Sequence, residues 1–235
     1  MDTQKIRFVA NRPGLGEDSP SIPEPIGKTI PEWYRKADRY AKDPATGKYW
    51  DMPDVGGKIP TWKACPAVFD ILGSGYTYKT PCDIEFAEDA QGDIHARILD
   101  KQHNTFLYQR EPLHQFVYPQ GYHLKHFAWW PDWAVELPEG YSALYTHPLN
   151  RFELPFLTTN GIVDNDKDTI PGTMPFFFKK GISGIVPART PFAQIIPFKR
   201  EHWEAEIDTS LTLEEMNAKI KENSARFRKP DGGVY

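Results

Sequence analysis

The alternation of apolar and polar positions divides the chain into an arm, a β-rich body and a helix. Over 76–79 and again over 82–86, β-branched or aromatic residues alternate with polar ones, the period-two pattern of half-buried strands. Residues 89–93 read Asp-Ala-Gln-Gly-Asp, a hairpin turn by composition, and 94–99 return as its partner strand. Further strands are predicted at 116–118, 124–127, 134–137, 142–145, 156–159, 161–163, 174–179 and 194–198, each bounded by Pro or Gly. Their spacing is that of a sandwich or barrel. Proline inside several of them predicts edge or bulged strands.

Ahead of this body, residues 13–60 carry proline at short intervals and few aliphatic side chains, and read as an extended arm with one helical turn at 30–36. Residues 67–72 predict a short helix closed by Gly73, Ser74 and Gly75. After Asp208 the period becomes helical: Thr212 and Glu215 form a capping box, and Leu213, Met216 and Ile220 follow at helical spacing. The helix is expected to end near 224–227, with Pro230 and Gly232 stopping the run. The fold class is therefore mainly β, with 1–60 as a proline-rich arm, 61–208 as the main β-rich domain and 209–235 as an amphipathic helix and tail.

Composition sharpens this reading. Twenty-two prolines and 17 glycines among 235 residues leave little room for long helices. Hydrophobic residues at 40% and aromatics at 14%, against 26% charged, describe a chain that builds a core. A net charge of -4 with no basic block lacks the footprint of a duplex-binding protein and leaves room for a small neutral or anionic partner. No apolar run approaches the ~20 residues that span a bilayer, and residues 1–5 lead into no signal-type segment, so a cytoplasmic protein is expected. Cys65 and Cys82 lie too far apart for a metal knuckle and are expected as reduced thiols.

Three stretches carry candidate chemistry: 137–145 (Leu-Pro-Glu-Gly-Tyr-Ser-Ala-Leu-Tyr), 160–166 (Asn-Gly-Ile-Val-Asp-Asn-Asp) and 186–196, which contains Ala193, Gln194 and Ile195. In that order they resemble the dUTPase-like β-clip family. The resemblance covers about a quarter of the chain and implies a β-clip fold with a hairpin that admits a pyrimidine base. It implies that Asp164 orients water for attack on phosphorus, that Gln194 contacts phosphate or backbone close by, and that Asn160 and Gly161 line the hairpin, with Tyr141 and Asp166 beside them. Where the family carries a serine-bearing phosphate loop, this chain has 146–151, in which Thr146 or Arg151 would substitute. A hydrolase of this kind would need Mg²⁺. The resemblance also implies a homo-oligomer, trimeric in form, with pockets at subunit boundaries. More broadly, residues 60–205 are similar to an uncharacterised family associated with tailed phages and aquatic bacteria, which implies no activity.

Other readings stand beside this one. Residues 164–168 have the composition of an exposed turn, because Asp and Asn bond their own backbone there. His114, His123, His126 and His147 crowd one region, but an i, i+3 pair such as His123 and His126 points to opposite faces of a strand, which favours hydrogen-bonded histidines over metal ligands. Tyr122, Phe127, Trp129, Trp130 and Trp133 could form a stacking platform or a core. The alternative to a ligand-binding protein is a non-catalytic one that assembles through its N-terminal arm.

Overall fold

A computed structural model describes residues 4–53, 57–100, 103, 106–110, 117–168 and 172–226. In chain order the strands are β1 (Arg7–Ala10), β2 (Glu24–Pro25), β3 (Tyr76–Lys79), β4 (Ile84–Glu88), β5 (Ile94–Ile98), β6 (Leu107–Arg110), β7 (His126–Trp129), β8 (Trp133–Glu136), β9 (Tyr141–Thr146), β10 (Phe156–Thr158), β11 (Gly161–Val163), β12 (Met174–Phe178), β13 (Gly184–Val186) and β14 (Pro191–Lys199). The α-helices are α1 (Glu32–Lys36), α2 (Pro66–Gly73) and α3 (Leu213–Arg226). The fold is mainly β with a C-terminal helix, as the pattern predicts, but its strands form several open sheets and no closed barrel among the described residues.

The chain makes two compact units, Met1–Pro31 with Leu72–Arg200, and Glu32–Ile71 with Glu201–Tyr235. Their bounds differ from the predicted divisions at 60 and 208. In the first unit a five-stranded sheet runs β11-β9-β14-β3-β2, a four-stranded sheet β10-β12-β7-β6 and a three-stranded sheet β13-β4-β5, with β1 and β8 as a separate pair. All pairings are antiparallel. The predicted strand at 116–118 lies partly outside the described residues, and 117–118 join no sheet.

The core of this unit is aromatic. β12 alternates as its sequence demands, burying Met174, Phe176 and Phe178. Phe176 stacks on Trp129 with ring centroids 3.6 Å apart and planes 5° from parallel. The indole nitrogen of wholly buried Trp129 donates to Thr158 Oγ1 at 3.0 Å, and that hydroxyl donates to the Phe192 carbonyl at 2.6 Å, so no polar atom of this trio is stranded. Phe127, Trp129 and Trp133 are thus core, and of the predicted aromatic platform Trp130 is the exposed member.

Two prolines sit inside interior strands, where edge or bulged positions were predicted. Thr159 N donates to the Pro175 carbonyl, so the amide side of Pro175 also faces past the end of β10, where no ladder partner is required. In β14, Arg200 N donates to the Gly140 carbonyl, which places the Pro197 nitrogen on the side away from β9, beyond the end of β3. A bulge does occur in β14 between Pro191 and Ala193, ahead of the predicted strand at 194–198. Gly75 allows β3 to approach β14: at φ +78°, a Cβ there would lie 2.1 Å from the Ile195 carbonyl oxygen.

Residues 13–31, predicted as an arm, pack on the chain's own core. Leu15 and Ile22 lie against it, Ile26 is buried, and Ser21 Oγ donates to the buried Asp132 carboxylate at 2.6 Å. Arg12 pairs with the same carboxylate at 3.1 Å. Lys79, itself buried, pairs with Glu24 at 2.8 Å, tying β2 to β3.

In the second unit three short segments around Ala41, Trp50 and Ile59 bond in a ring. Ala41 N donates to Ile59 O, Ile59 N to Trp50 O, and Trp50 N to Ala41 O. Asp43 Oδ1 accepts from Ala45 N and Thr46 N to turn the chain between the first two segments. Lys58 Nζ lies 3.7 Å from the centroid of the Tyr49 ring. The capping box of α3 is formed as predicted: Thr212 Oγ1 accepts from Glu215 N at 3.3 Å and Glu215 Oε2 from Thr212 N at 2.9 Å. The tail containing Pro230 and Gly232 lies outside the described residues. Both cysteines are free, and burial pushes the Cys82 thiol up to about 11. No helix among the described residues is long and apolar enough to cross a membrane.

Candidate functional site

A cavity of about 150 Å³ opens in the first unit beside β11, β12 and the turn that follows β11. Val135, Val163 and Met174 give it an apolar lining, and Tyr78 and Tyr145 contribute rings. Its polar groups come from Thr159, Asn160, Asn165 and Thr173, and Gly161 and Gly172 lie on its wall with open space where a Cβ would stand.

The local fold follows from short-range rules. Thr159 N and Oγ1 both donate to the Pro175 carbonyl, which bends the chain out of β10 and leaves Asn160 at the turn into β11. Asn160 Oδ1 accepts from the Thr146 hydroxyl at 2.6 Å and from His147 N at 3.2 Å, so its carbonyl end is occupied and its amide NH₂ keeps its donors. After β11 the backbone closes a turn in which Lys167 N and Asp168 N both donate to the Asp164 carbonyl, as the Asp/Asn composition predicts.

That turn sends successive side chains in opposite directions. Asn165, only 4% exposed, faces the cavity: its Oδ1 accepts from the Tyr145 hydroxyl at 3.2 Å and its Nδ2 donates to the Val135 carbonyl at 3.3 Å. Asp164 accepts from the Ser142 hydroxyl at 2.6 Å and pairs with Arg200 at 3.2 Å. Asp166 takes Arg200 through both guanidinium nitrogens and accepts from Gly140 N at 2.8 Å. The Ser142 hydroxyl, then the charges of Arg200 and Lys167, hold the Asp164 carboxyl below the usual range. Arg200, then the Gly140 amide, hold that of Asp166 far below it.

Burial pushes the Tyr145 hydroxyl up to about 12 and that of Tyr78 well above its ordinary value. Both are donors at neutral pH, Tyr145 to Asn165 and Tyr78 to the Trp133 carbonyl at 2.6 Å. Beside the cavity, burial lowers His147 to about 4. Its Nδ1 accepts from Thr158 N at 3.3 Å while Nε2 lies 3.3 Å from the Arg151 carbonyl, an arrangement that suits the neutral ring protonated at Nε2.

The sequence-derived site residues therefore separate. Asn160 and Gly161 line the cavity. Asp164 and Asp166 join Arg200 and Ser142, with Tyr141 contributing its carbonyl to Arg200 Nη1 at 3.0 Å. Gln194 is wholly buried, its Oε1 accepting from Leu149 N at 2.9 Å and its Nε2 donating to the Ser74 carbonyl at 2.7 Å. It holds loops together and does not line the cavity, so the expected juxtaposition of Asp164 and Gln194 in one pocket is not formed. Arg151 donates to the Thr29 carbonyl at 3.0 Å and pairs with Glu153. Asn165, Tyr145, Tyr78, Thr159 and Thr173 are among the cavity groups that the sequence reading did not single out.

A larger groove of about 550 Å³ meets the cavity at Thr159 and Pro175, which line both. It is largely apolar, with Leu124, Phe177 and Tyr118 on its sides, and carries Arg110, whose Nη2 donates to Thr173 Oγ1. His126 lies on the same groove with its ring stacked on Phe177, and His123 pairs with Glu88 at 2.8 Å, so the two histidines serve different neighbours. Among the described residues no group of three or more His, Cys, Asp or Glu side chains is gathered in a way that could hold a metal ion. The cavity lining carries no carboxylate, so its residues do not fit a resident Mg²⁺. Compared with protein-family models, curated proteins and solved structures, the chain matches none.

Proposed function

We propose that the protein binds a small ligand through a planar, uncharged heteroaromatic ring of nucleobase type, held in the cavity beside β11. The observation that carries this reading is the pairing of two oriented side-chain amides, Asn160 and Asn165, with an apolar lining of Val135, Val163 and Met174. Asn160 offers donors and Asn165 a fixed carbonyl, the complement of a ring edge that carries both C=O and N–H. A cavity of about 150 Å³ is the size that accepts one six-membered ring. Any anionic extension of the ligand would pass Thr159 into the neighbouring groove, where Arg110 supplies a cation.

Binding without turnover is the favoured form of this reading. A water-orienting carboxylate must face the reacting atoms, and Asp164 is not among the residues that line the cavity; its Oδ1 meets Ser142 and Arg200 instead. The test is a thermal-shift screen of nucleobases, nucleosides and nucleotides with and without Mg²⁺, followed by a pyrophosphate-release assay on each compound that stabilises. The expected outcome is stabilisation that does not depend on Mg²⁺ and no release. Absence of any shift at millimolar ligand refutes the ring-binding reading, and release abolished by Asp164→Asn refutes the preference for binding over hydrolysis.

A further inference from the structure

The cavity beside β11 is smaller than a complete small-molecule site. At about 150 Å³ it falls below the ~300–1,000 Å³ usual for such sites, and the groove of about 550 Å³ that meets it at Thr159 and Pro175 brings the two together within that range. A ligand whose ring fills the cavity therefore extends into the groove.

The groove lies on the outer face of the sheet β10-β12-β7-β6. Leu157 stands opposite Phe177, Phe177 stacks on His126 with ring centroids 5.2 Å apart, and His126 stands opposite Arg110, so these four form one row across that face. The residues of the other parity, Phe127, Phe156, Phe176 and Phe178, turn inward and are buried. Burial, opposed by the Leu124 backbone and reinforced by Arg110, holds His126 below its ordinary value, so at neutral pH its ring is an uncharged aromatic. Tyr118 adds a third ring to the groove, and Pro119 and Pro175 add rigid surfaces. Walls of this kind suit a flat ring, which gains stacking contacts that an alkyl chain does not.

Arg110 stands where cavity and groove join. It lines the groove, and its Nη2 donates to Oγ1 of Thr173, a residue of the cavity, at 2.6 Å. Among the described residues no carboxylate pairs with this guanidinium, which keeps its charge for an anionic group at the junction. Pro175 at the junction and Phe177 in the groove share one face of β12, about 7 Å apart along the strand, so a group that passes the junction meets Phe177 after a short link.

We propose that cavity and groove together bind a dinucleotide, with one base in the cavity, the phosphate link at Arg110 and the second base against Phe177, His126 and Tyr118. This rests on the ring-binding reading of the cavity and extends it to the whole ligand. One cation at the junction and a net charge of -4 favour a free dinucleotide over a polymer, which calls for a run of cations along its backbone.

Isothermal titration calorimetry of the full chain tests this by comparing the four common ribonucleoside 5′-monophosphates with the four dinucleotides in which two copies of one base are joined by a 3′,5′-phosphodiester. For at least one base the dinucleotide is expected to bind at least ten-fold more tightly than the monophosphate. Tyr118→Ala and Phe177→Leu should each remove most of that advantage and leave the affinity for the monophosphate unchanged, whereas Arg110→Gln should weaken both ligands. Tyr118 is exposed and leucine keeps position 177 apolar, so the melting temperatures of the free variants should match the native value and report on folding. A monophosphate that binds as tightly as its dinucleotide, or an advantage that survives both Tyr118→Ala and Phe177→Leu, overturns the two-base proposal and leaves the cavity reading standing. Absence of binding by every monophosphate and dinucleotide overturns both, and a hexanucleotide that binds more tightly than the dinucleotide overturns the assignment to a free ligand.

Discussion

Asn165 and Asp166 are consecutive in the chain and serve different structures: Asn165 Oδ1 accepts the Tyr145 hydroxyl at 3.2 Å inside the cavity, while Asp166 Oδ1 takes Arg200 Nη1 at 2.9 Å on the other side of the turn. If the cavity holds a ligand as proposed, Asn165 meets it while Asp166 anchors the turn to Arg200, and substitution at 165 and at 164 tests that division.

Asn165→Ala is expected to abolish ligand-induced stabilisation in the thermal-shift assay, whereas Asp164→Ala should leave it in place while lowering the melting temperature of the free protein. Gly161→Val gives an independent check. A Cβ at Gly161 meets nothing within 4 Å, and a β-branched residue suits a strand, so the variant should fold at least as well as the native chain and lose ligand by filling the cavity wall. Retention of binding by Gly161→Val would place the ligand elsewhere.

Arg200→Met should lower the melting temperature at neutral pH, and the deficit should shrink as pH falls. The carboxyls of Asp164 and Asp166 are held below their ordinary values in the fold, so their contribution is complete above the unfolded carboxylate range near pH 4 and is lost as pH drops through the folded values. The variant lacks the main partner of Asp166 and, after the Ser142 hydroxyl, the next partner of Asp164. Melting curves of the two proteins from about pH 6 to about pH 2 should therefore converge at the acid end.

His147 acts over a higher window. Its folded pKa of about 4 lies below the ordinary 6.5, so below pH 6.5 the unfolded chain takes up a proton that the fold refuses. Stability should fall as pH drops from 6.5 to about 4, by up to about 3 kcal/mol, and level off below. Urea denaturation across that range measures the loss. Nuclear magnetic resonance titration of the imidazole should show no protonation above pH 5, and an ordinary titration midpoint would refute the assignment.

Two glycines with similar backbone angles should behave differently. Gly140, at φ +84° with nothing within 4 Å of a Cβ, should tolerate Ala at a cost of about 1 kcal/mol for the left-handed backbone. Gly75, at φ +78°, would drive a Cβ into the Ile195 carbonyl, and Gly75→Ala should cost several times more because β3 must separate from β14. Chemical denaturation of both variants compares the two costs.

Much of the strand content is legible in the sequence because alternation is a local signal: β3, β5, β9, β10, β11, β12 and β14 all fall on predicted stretches. β13 is not, since Gly184 gives no side chain to alternate and Ile185 faces solvent. The interior placement of Pro175 and Pro197 depends on which side each missing N–H faces, and that is set by partners distant in sequence. Asn165 was hidden between two aspartates that read as a turn, and Arg200, the residue that anchors both aspartates, lies outside every motif. Gln194 reads in the sequence as a contact to phosphate or backbone, and its amide meets backbone at both ends; the sequence leaves the two open because an amide bonded at both ends looks the same there as an amide awaiting a ligand.

The ring formed by Ala41, Trp50 and Ile59 has a consequence for solubility. Each of its three segments gives a hydrogen bond to one neighbour and receives one from the other, so at those positions the backbone has no outermost rung. At those three positions an incoming strand meets backbone that is already paired, and the Lys, Asp and Pro residues of the same segments add to that protection.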